Sequence, residues 1–368
     1  MRKIIFFTGD QSLSGGTEKA CATVLNSLSQ NDDYEIELVS NFYSRSNCFF
    51  SLSSRVRFFS LFKSHALSTL KNAALFFLYP FLIFKKKPDI IVAVESINFL
   101  FFLFVIVFKP SCRLVCWEHF NATSDLGVSR RRWARYLAAR FADKIVVLSH
   151  EDRHYWQSYY DVPDDKLAVI YNIAPIDFFT RSHVKKQDAQ KGNVVMAAGR
   201  LEYQKGFDLL LAAWSMLDES VRSGWVLKIA GSGSQLNKLN KMAIEFGVDD
   251  SVKFLGLVKD IDDLYDEARI FVLSSRFEGF GLVLVEALAA GVPCVSFKCP
   301  AGPSDIINEG INGVLVSPIT AEHLSSALLS LLSDPSRISK MANRSRYGLE
   351  RFTEGAAKAR WESLFEAL

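Results

Sequence analysis

Short apolar runs alternate with longer stretches of helical periodicity along most of the chain. Ile4–Thr8, Ile36–Ser40, Ile90–Val94, Leu114–Trp117, Lys144–Leu148 and Leu167–Tyr171 read as strands buried on both faces. Between them lie a helix ending near Leu28 and a basic helix over Arg130–Phe141. A charged, poorly apolar segment then interrupts the rhythm between Ile173 and Gly192. It restarts at Val194–Ala198 and continues through Trp225–Ala230, Val252–Leu255, Ile270–Ser274, Cys294–Phe297 and Gly313–Val316. Strand and helix alternating twice over predicts an α/β protein of two Rossmann-like, doubly wound parallel-sheet domains. The boundaries fall at 1–178 for the first and 179–353 for the second, with residues 354–368 as a final helix. Ligands of such sheets sit at the carboxyl ends of strands, so the expected site is a cleft between the domains.

One helix breaks the apolar rule. Leu282–Ala290 is apolar on every side except for Glu286, and Gly291 and Pro293 end it. A carboxylate on a buried helix requires a partner. Glu278 lies eight positions earlier, in the preceding loop. The N–H groups of Phe280, Gly281 and Leu282 open the helix, where they are expected to meet hydroxyls or phosphate. Arg200 follows the strand ending at Ala198, and Lys205 precedes the next helix. A forked donor and a point charge at a strand edge suit a diphosphate. In TGDQSLSGGTEKA, Gly15 and Gly16 precede a helix and read either as an anion-binding loop or as a plain tight turn.

Charge adds a second theme. The formal net charge is +3, which does not point to nucleic acid. Residues 45–144 carry a net charge of +11. Within that basic half, Ala73–Phe84 and Phe99–Phe108 are too short to span a bilayer, which takes about 20 residues. Aromatic and aliphatic residues among lysines and arginines suit a helix lying on an anionic membrane surface. Met1–Arg2–Lys3 leads straight into an apolar run, which argues against a secretory signal and for reduced cysteines in a cytoplasmic setting. Asp260–Ile261–Asp262 is formally a DxD metal motif, but these acids read better as helix-start charges. No metal site and no cofactor are expected.

Together GGTEKA, GRLEYQKG, AGSGSQ, VKFLGLV and EGFGLVLVEALAAGVPCV, in this order across two halves, resemble glycosyltransferase family 4, retaining enzymes of the GT-B fold. The resemblance covers nearly the whole chain. It implies that Glu286 accepts hydrogen bonds from a nucleotide ribose, and that Glu278 lies near the donor sugar. It implies that Arg200 and Lys205 neutralise the leaving diphosphate, assisted by the amides of Gly15 and Gly16. Phe280, Gly281 and Leu282 would hold sugar hydroxyls, Leu257 and Val258 would flank the base, and His119 in CWEHFN would orient the sugar. The implied reaction moves a sugar from a UDP-sugar to a lipid-linked saccharide, with the protein on the inner face of the cytoplasmic membrane. A transferase with a small soluble acceptor and a non-catalytic sugar-nucleotide binder are the alternatives. The final helix, with Trp361, Leu364 and Phe365 on one face, is expected to return to the N-terminal domain.

Overall fold

The computed structural model describes residues 1–44, 48–66, 68–108, 111–125, 127–174, 192–258 and 261–368. The chain divides into two units, residues 1–173 with 354–368 and residues 174–353. The boundary expected at 178/179 lies outside the described residues.

The first unit is built on seven parallel strands among the described residues: β1 (Arg2–Asp10), β2 (Tyr34–Phe42), β3 (Arg57–Phe62), β4 (Ile90–Val94), β5 (Arg113–Trp117), β6 (Lys144–Val147) and β7 (Leu167–Val169). Their spatial order is β3-β2-β1-β4-β5-β6-β7, so the winding reverses between β1 and β4. Its helices are α1 (Gly16–Leu28), α2 (Ser68–Lys86), α3 (Ser96–Phe99), α4 (Leu103–Phe108), α5 (Ser129–Phe141) and α6 (His150–Tyr160). The odd residues Ile5 and Phe7 of β1 meet Tyr79 of α2 and Phe102 on one face of the sheet. Phe6 points the other way, onto Trp361.

The second unit has six parallel strands among its described residues: β8 (Val194–Ala198), β9 (Val226–Ala230), β10 (Val252–Gly256), β11 (Ile270–Leu273), β12 (Cys294–Phe297) and β13 (Gly313–Val316). Their order is β10-β9-β8-β11-β12-β13, with the reversal between β8 and β11. The helices used below are α7 (Phe207–Ser215), α8 (Leu236–Glu245), α9 (Asp262–Glu267), α10 (Leu282–Ala289), α11 (Ala321–Leu332) and α12 (Pro335–Asn343). α7, α8 and α11 cover one face and close a core around Trp214, Leu227 and Leu328.

The last helix, α13 (Glu354–Glu366), belongs to the first unit. Trp361 is fully buried, with its ring edge-on to Phe6 at 6.2 Å and to Trp117 at 5.0 Å. Phe365 meets Tyr34 at 5.8 Å. The apolar face predicted for this helix is therefore the second cover of the first sheet.

One stretch differs from the sequence expectation. β3 was not expected. It is an edge strand whose residues are exposed or half-buried, so it lacks the buried run that marks the others. The apolar run Phe99–Phe108 forms the end of α3, a 3-10 turn over Leu100–Phe102, and α4. No helix among the described residues is long and apolar enough to cross a membrane.

Candidate functional site

In the second unit the strand reversal places the loop after β8 beside the loop after β11. This is where open parallel sheets take ligands. The two loops are stitched together. Arg276 N–H donates to the Gln204 carbonyl at 2.8 Å, and Gln204 Nε2 donates to the Phe277 carbonyl at 3.0 Å. The Ser274 hydroxyl donates to the Lys205 carbonyl at 2.8 Å. Arg276 grips Asp208 at the start of α7 with two bonds of 2.8 and 2.7 Å, a forked pair that fixes both loops.

This framework brings Lys205 to Glu278. Lys205 Nζ lies 2.6 Å from Glu278 Oε1, and the Ser275 hydroxyl donates to the same oxygen at 2.5 Å. Glu278 is buried and the Lys205 side chain is only 15% exposed. The sequence placed these residues in separate motifs, and the fold makes them one group. Glu278 leads directly into α10, whose N-cap is Gly281 at φ +92. That left-handed conformation suits glycine and turns the chain sharply into the helix. As the first groups of α10, the N–H groups of Gly281 and Leu282 have no carbonyl partner within the helix. Phe280 is buried, its ring 5.6 Å from Phe352, so its side chain anchors the loop. The helix closes with Val292 N–H on the Ala287 carbonyl and Gly291 N–H on the Leu288 carbonyl, the glycine stop predicted from sequence.

Glu286 lies one turn into α10 and is buried. Tyr265 on α9 sits below it, with its hydroxyl 3.5 Å from Glu286 Oε2. Burial, reinforced by the Glu286 carboxylate, holds the Tyr265 phenol well above its ordinary pKa, so it stays protonated as a donor. Sequence reading missed both Ser275 and Tyr265, because neither lies in a recognisable spacing.

A cavity of about 270 Å³ opens beside this group. Gly199, Arg200, Gly231, Leu257, Val258 and Val283 line it, and its walls are mainly apolar. Val283 is one turn before Glu286 on α10, so the cavity and the carboxylate share a helix face. Gly231, at φ +143, closes the floor: a Cβ there would lie 1.8 Å from the Gly199 carbonyl oxygen. A mainly apolar cavity with a cation in its lining and a carboxylate along the helix can hold a nucleoside. Asp262 and Asp263 lie in the first turn of α9, and Asp260 lies outside the described residues.

The first unit carries its own polar edge. Gly15 is the N-cap of α1, and the Glu18 carboxylate folds back onto it, 2.2 Å from where a Gly15 Cβ would stand. An anion therefore already occupies one side of this glycine loop, while the corresponding position on Gly16 opens into space. His119 follows β5 and is 6% exposed. Its Nε2 has no hydrogen-bond partner among the described residues. Burial drives its pKa down to about 4, so the ring is neutral at physiological pH. Its neighbour Glu118 is wholly buried, and Arg135 holds it at 2.9 Å. Burial alone would raise the Glu118 pKa; the Arg135 and Arg131 charges outweigh it and leave the pKa lowered.

Sequence reading also missed Asp10 and Glu95. Asp10 ends β1 and meets His65 Nε2 at 2.7 Å. Glu95 follows β4 at φ +67, a strained backbone for glutamate, and faces Arg131 at 3.7 Å. Burial raises the Glu95 pKa to about 7, against the pull of Arg131. Burial likewise raises Asp152 to about 7.

These shifts act on stability in opposite senses. A depressed histidine makes the fold less stable as pH falls from about 6.5 towards 4, because only the unfolded chain takes the proton. The raised carboxyls make it more stable as pH falls from 7, because the folded chain takes theirs first. His119 is therefore best read from its own ring resonances. They are expected to titrate with a midpoint near 4 and to stay flat from pH 6 to 8. A midpoint near 6.5 would mean that water reaches the ring.

Comparison with known proteins supports one family. The model of Glycosyltransferase Family 4 matches residues 14–178, and that of Glycosyl transferases group 1 matches residues 178–348. The chain is 27% identical to the amylovoran biosynthesis glycosyltransferase AmsD of Erwinia amylovora, over 90% of this chain and 91% of that one. It is 25% identical, over 99% and 98%, to the GalNAc-alpha-(1->4)-GalNAc-alpha-(1->3)-diNAcBac-PP-undecaprenol alpha-1,4-N-acetyl-D-galactosaminyltransferase of Campylobacter jejuni. Its fold is like that of Anabaena HepE, solved in complex with UDP, with a TM-score of 0.77 over the whole of both chains at 20% identity. With the two family models meeting at residue 178 and each falling on one of the two parallel-sheet units, the chain belongs to glycosyltransferase family 4 and has the GT-B fold.

Proposed function

We propose that the chain moves a hexosyl or N-acetylhexosaminyl residue from a UDP-sugar to a lipid-linked saccharide, with retention at the anomeric carbon and without a metal ion. The observation that carries this reading is the Lys205–Glu278 pair at the entrance to α10, beside the cavity with Arg200 in its lining. The base would lie in that cavity against Val258, and Glu286 would accept from the ribose hydroxyls. The diphosphate would lie by Arg200 and Lys205.

In the transfer step the bond from the anomeric carbon to the diphosphate oxygen breaks, and its electron pair stays on the diphosphate. Lys205 and Arg200 stabilise that charge as it develops, which is the main electrostatic task at such a site. The acceptor hydroxyl forms the new bond on the same face, and its proton passes to the departing diphosphate oxygen. The Gly281 and Leu282 N–H groups and Glu278 hold the sugar.

The relatives named above support a role in bacterial polysaccharide assembly, and the C. jejuni enzyme's name supports an acceptor on an undecaprenyl carrier. The first unit supports a membrane reading. Phe77, Phe81 and Phe84 on α2 and Val107 and Phe108 on α4 are exposed, with Lys71, Lys85 and Lys87 around them. Such a face suits the anionic cytoplasmic leaflet.

UDP is expected to raise the melting temperature by several degrees in the presence of EDTA, whereas GDP and ADP at equal concentration leave it unchanged. A ligand at 100 times its Kd adds about 2.7 kcal/mol to the native state. A shift with GDP alone would replace the base, and no shift with any of them would remove the nucleotide site.

A further inference from the structure

A second cavity, of about 660 Å³, lies in the first unit at the opposite edge of the sheet from Gly15 and His119. Arg2 opens β1 and Arg113 opens β5, so both stand at the amino ends of their strands. With Phe84, Lys87, Asp89 and Ser111 they line the cavity. Five residues of β5 separate this edge from His119, or about 13–17 Å of extended chain. The cavity is therefore distinct from the ligand edge of its own sheet.

Three features give it a chemistry. Its cations outnumber its acid side chains: Arg2, Lys87 and Arg113 face Asp89, whose carboxylate already accepts the Lys3 N–H at 2.7 Å. Lys87 carries no ion pair among the described residues, and it stands at φ +46, which few non-glycine residues adopt. The two arginines are held in place: Arg113 pairs with Asp143 at 3.1 Å, and both donate to backbone oxygens in or just beyond α13. Arg2 donates to Phe365, and Arg113 Nε donates to Leu368 at 3.1 Å. A guanidinium has five N–H donors, so these bonds orient the groups without exhausting them.

The apolar part is continuous with the exposed aromatic face. Phe84 lines the cavity and also meets Phe108 edge-on at 5.9 Å. Phe108 is 64% exposed and Phe81, one turn back on α2, is 60% exposed. Lys85 stands over the Phe81 ring at 5.9 Å. The ridge continues to Phe77, stacked on Phe104 at 5.4 Å. A basic hollow thus opens onto an apolar ridge, with Phe84 belonging to both.

We infer that this hollow binds the phosphate headgroup of an anionic phospholipid, with Arg2, Lys87 and Arg113 as its donors and the Phe84–Phe108 ridge beneath its acyl chains. The inference rests on the membrane reading above and adds a defined headgroup site to it. A bound lipid would anchor the first unit by the amino edge of its sheet and leave the carboxyl edge open.

The test uses the purified full chain and dihexanoyl phosphatidylglycerol below its micelle concentration, with dihexanoyl phosphatidylcholine as the zwitterionic control. Calorimetric titration is expected to show binding of the first and at least about tenfold weaker binding of the second. Lys87→Glu is expected to weaken phosphatidylglycerol binding about tenfold or more, with an unchanged melting temperature and unchanged UDP affinity. UDP is expected not to compete. Equal binding by the two lipids, or by wild type and Lys87→Glu, would overturn the site. Competition by inorganic phosphate as strong as by the lipid would overturn the lipid as its ligand in favour of a free phosphate. Flotation with phosphatidylglycerol vesicles separates the two readings. Phe81→Ser is expected to lower flotation while leaving the titration unchanged. Wild-type chain that binds the short-chain lipid but does not float would sink the membrane reading alone.

Discussion

Lys205→Ala is expected to lower kcat about 10²–10³-fold, the usual cost of removing one charge-stabilising donor from a reacting centre. It is also expected to lower stability. The Lys205 ammonium is the charged partner of buried Glu278, which would keep only the Ser275 hydroxyl at 2.5 Å. An abandoned buried acceptor costs about 1–3 kcal/mol. Seen in sequence alone, Lys205 reads as a site cation that bears far more on turnover than on stability. The 2.6 Å pair gives it a bearing on both. The two effects separate in a cycle of Lys205→Ala, Glu278→Gln and the double variant. The double variant is expected to regain most of the stability and none of the activity. Recovery of activity would show that the pair is structural and that the diphosphate is stabilised elsewhere.

Glu286→Gln is expected to weaken UDP about 10- to 100-fold, because a hydrogen bond to a charged acceptor contributes about 1.5–3 kcal/mol. Stability is expected to hold. The amide is nearly isosteric and can still accept the long contact from Tyr265 at 3.5 Å. The affinity for inorganic pyrophosphate is the internal control. It is expected to be unchanged, because Glu286 lies within α10, beyond the loop residues Arg200 and Lys205 that are assigned to the phosphates. Equal loss for UDP and pyrophosphate would move Glu286 from the ribose to the phosphates.

Much of the fold was legible in the sequence because its strands are buried on both faces. The five residues of β8 are all buried, as are those of β4, and runs of that kind stand out from their surroundings. β3 was not legible for the converse reason: RFFSLF is an edge strand with no buried residue. In the site, the motifs marked Arg200, Lys205, Glu278 and Glu286 one by one. Their grouping depends on loops 73 residues apart in sequence, and no periodicity spans that distance. Tyr265, His65 and Glu95 acquire their surroundings only from tertiary packing, so no local pattern marks them.

The placement of Trp361 has a consequence for synthesis. Its indole fills the second face of the first sheet between Phe6 and Trp117, so these strands are covered by a helix made only after the second unit. While the chain grows from the ribosome, the second unit has all its own residues before the first is closed. Until residues 354–366 emerge, Phe6 and Trp117 face water or a chaperone. The order in which the units become complete is therefore the reverse of the order in which they begin, and the nascent first unit is the part most exposed to aggregation.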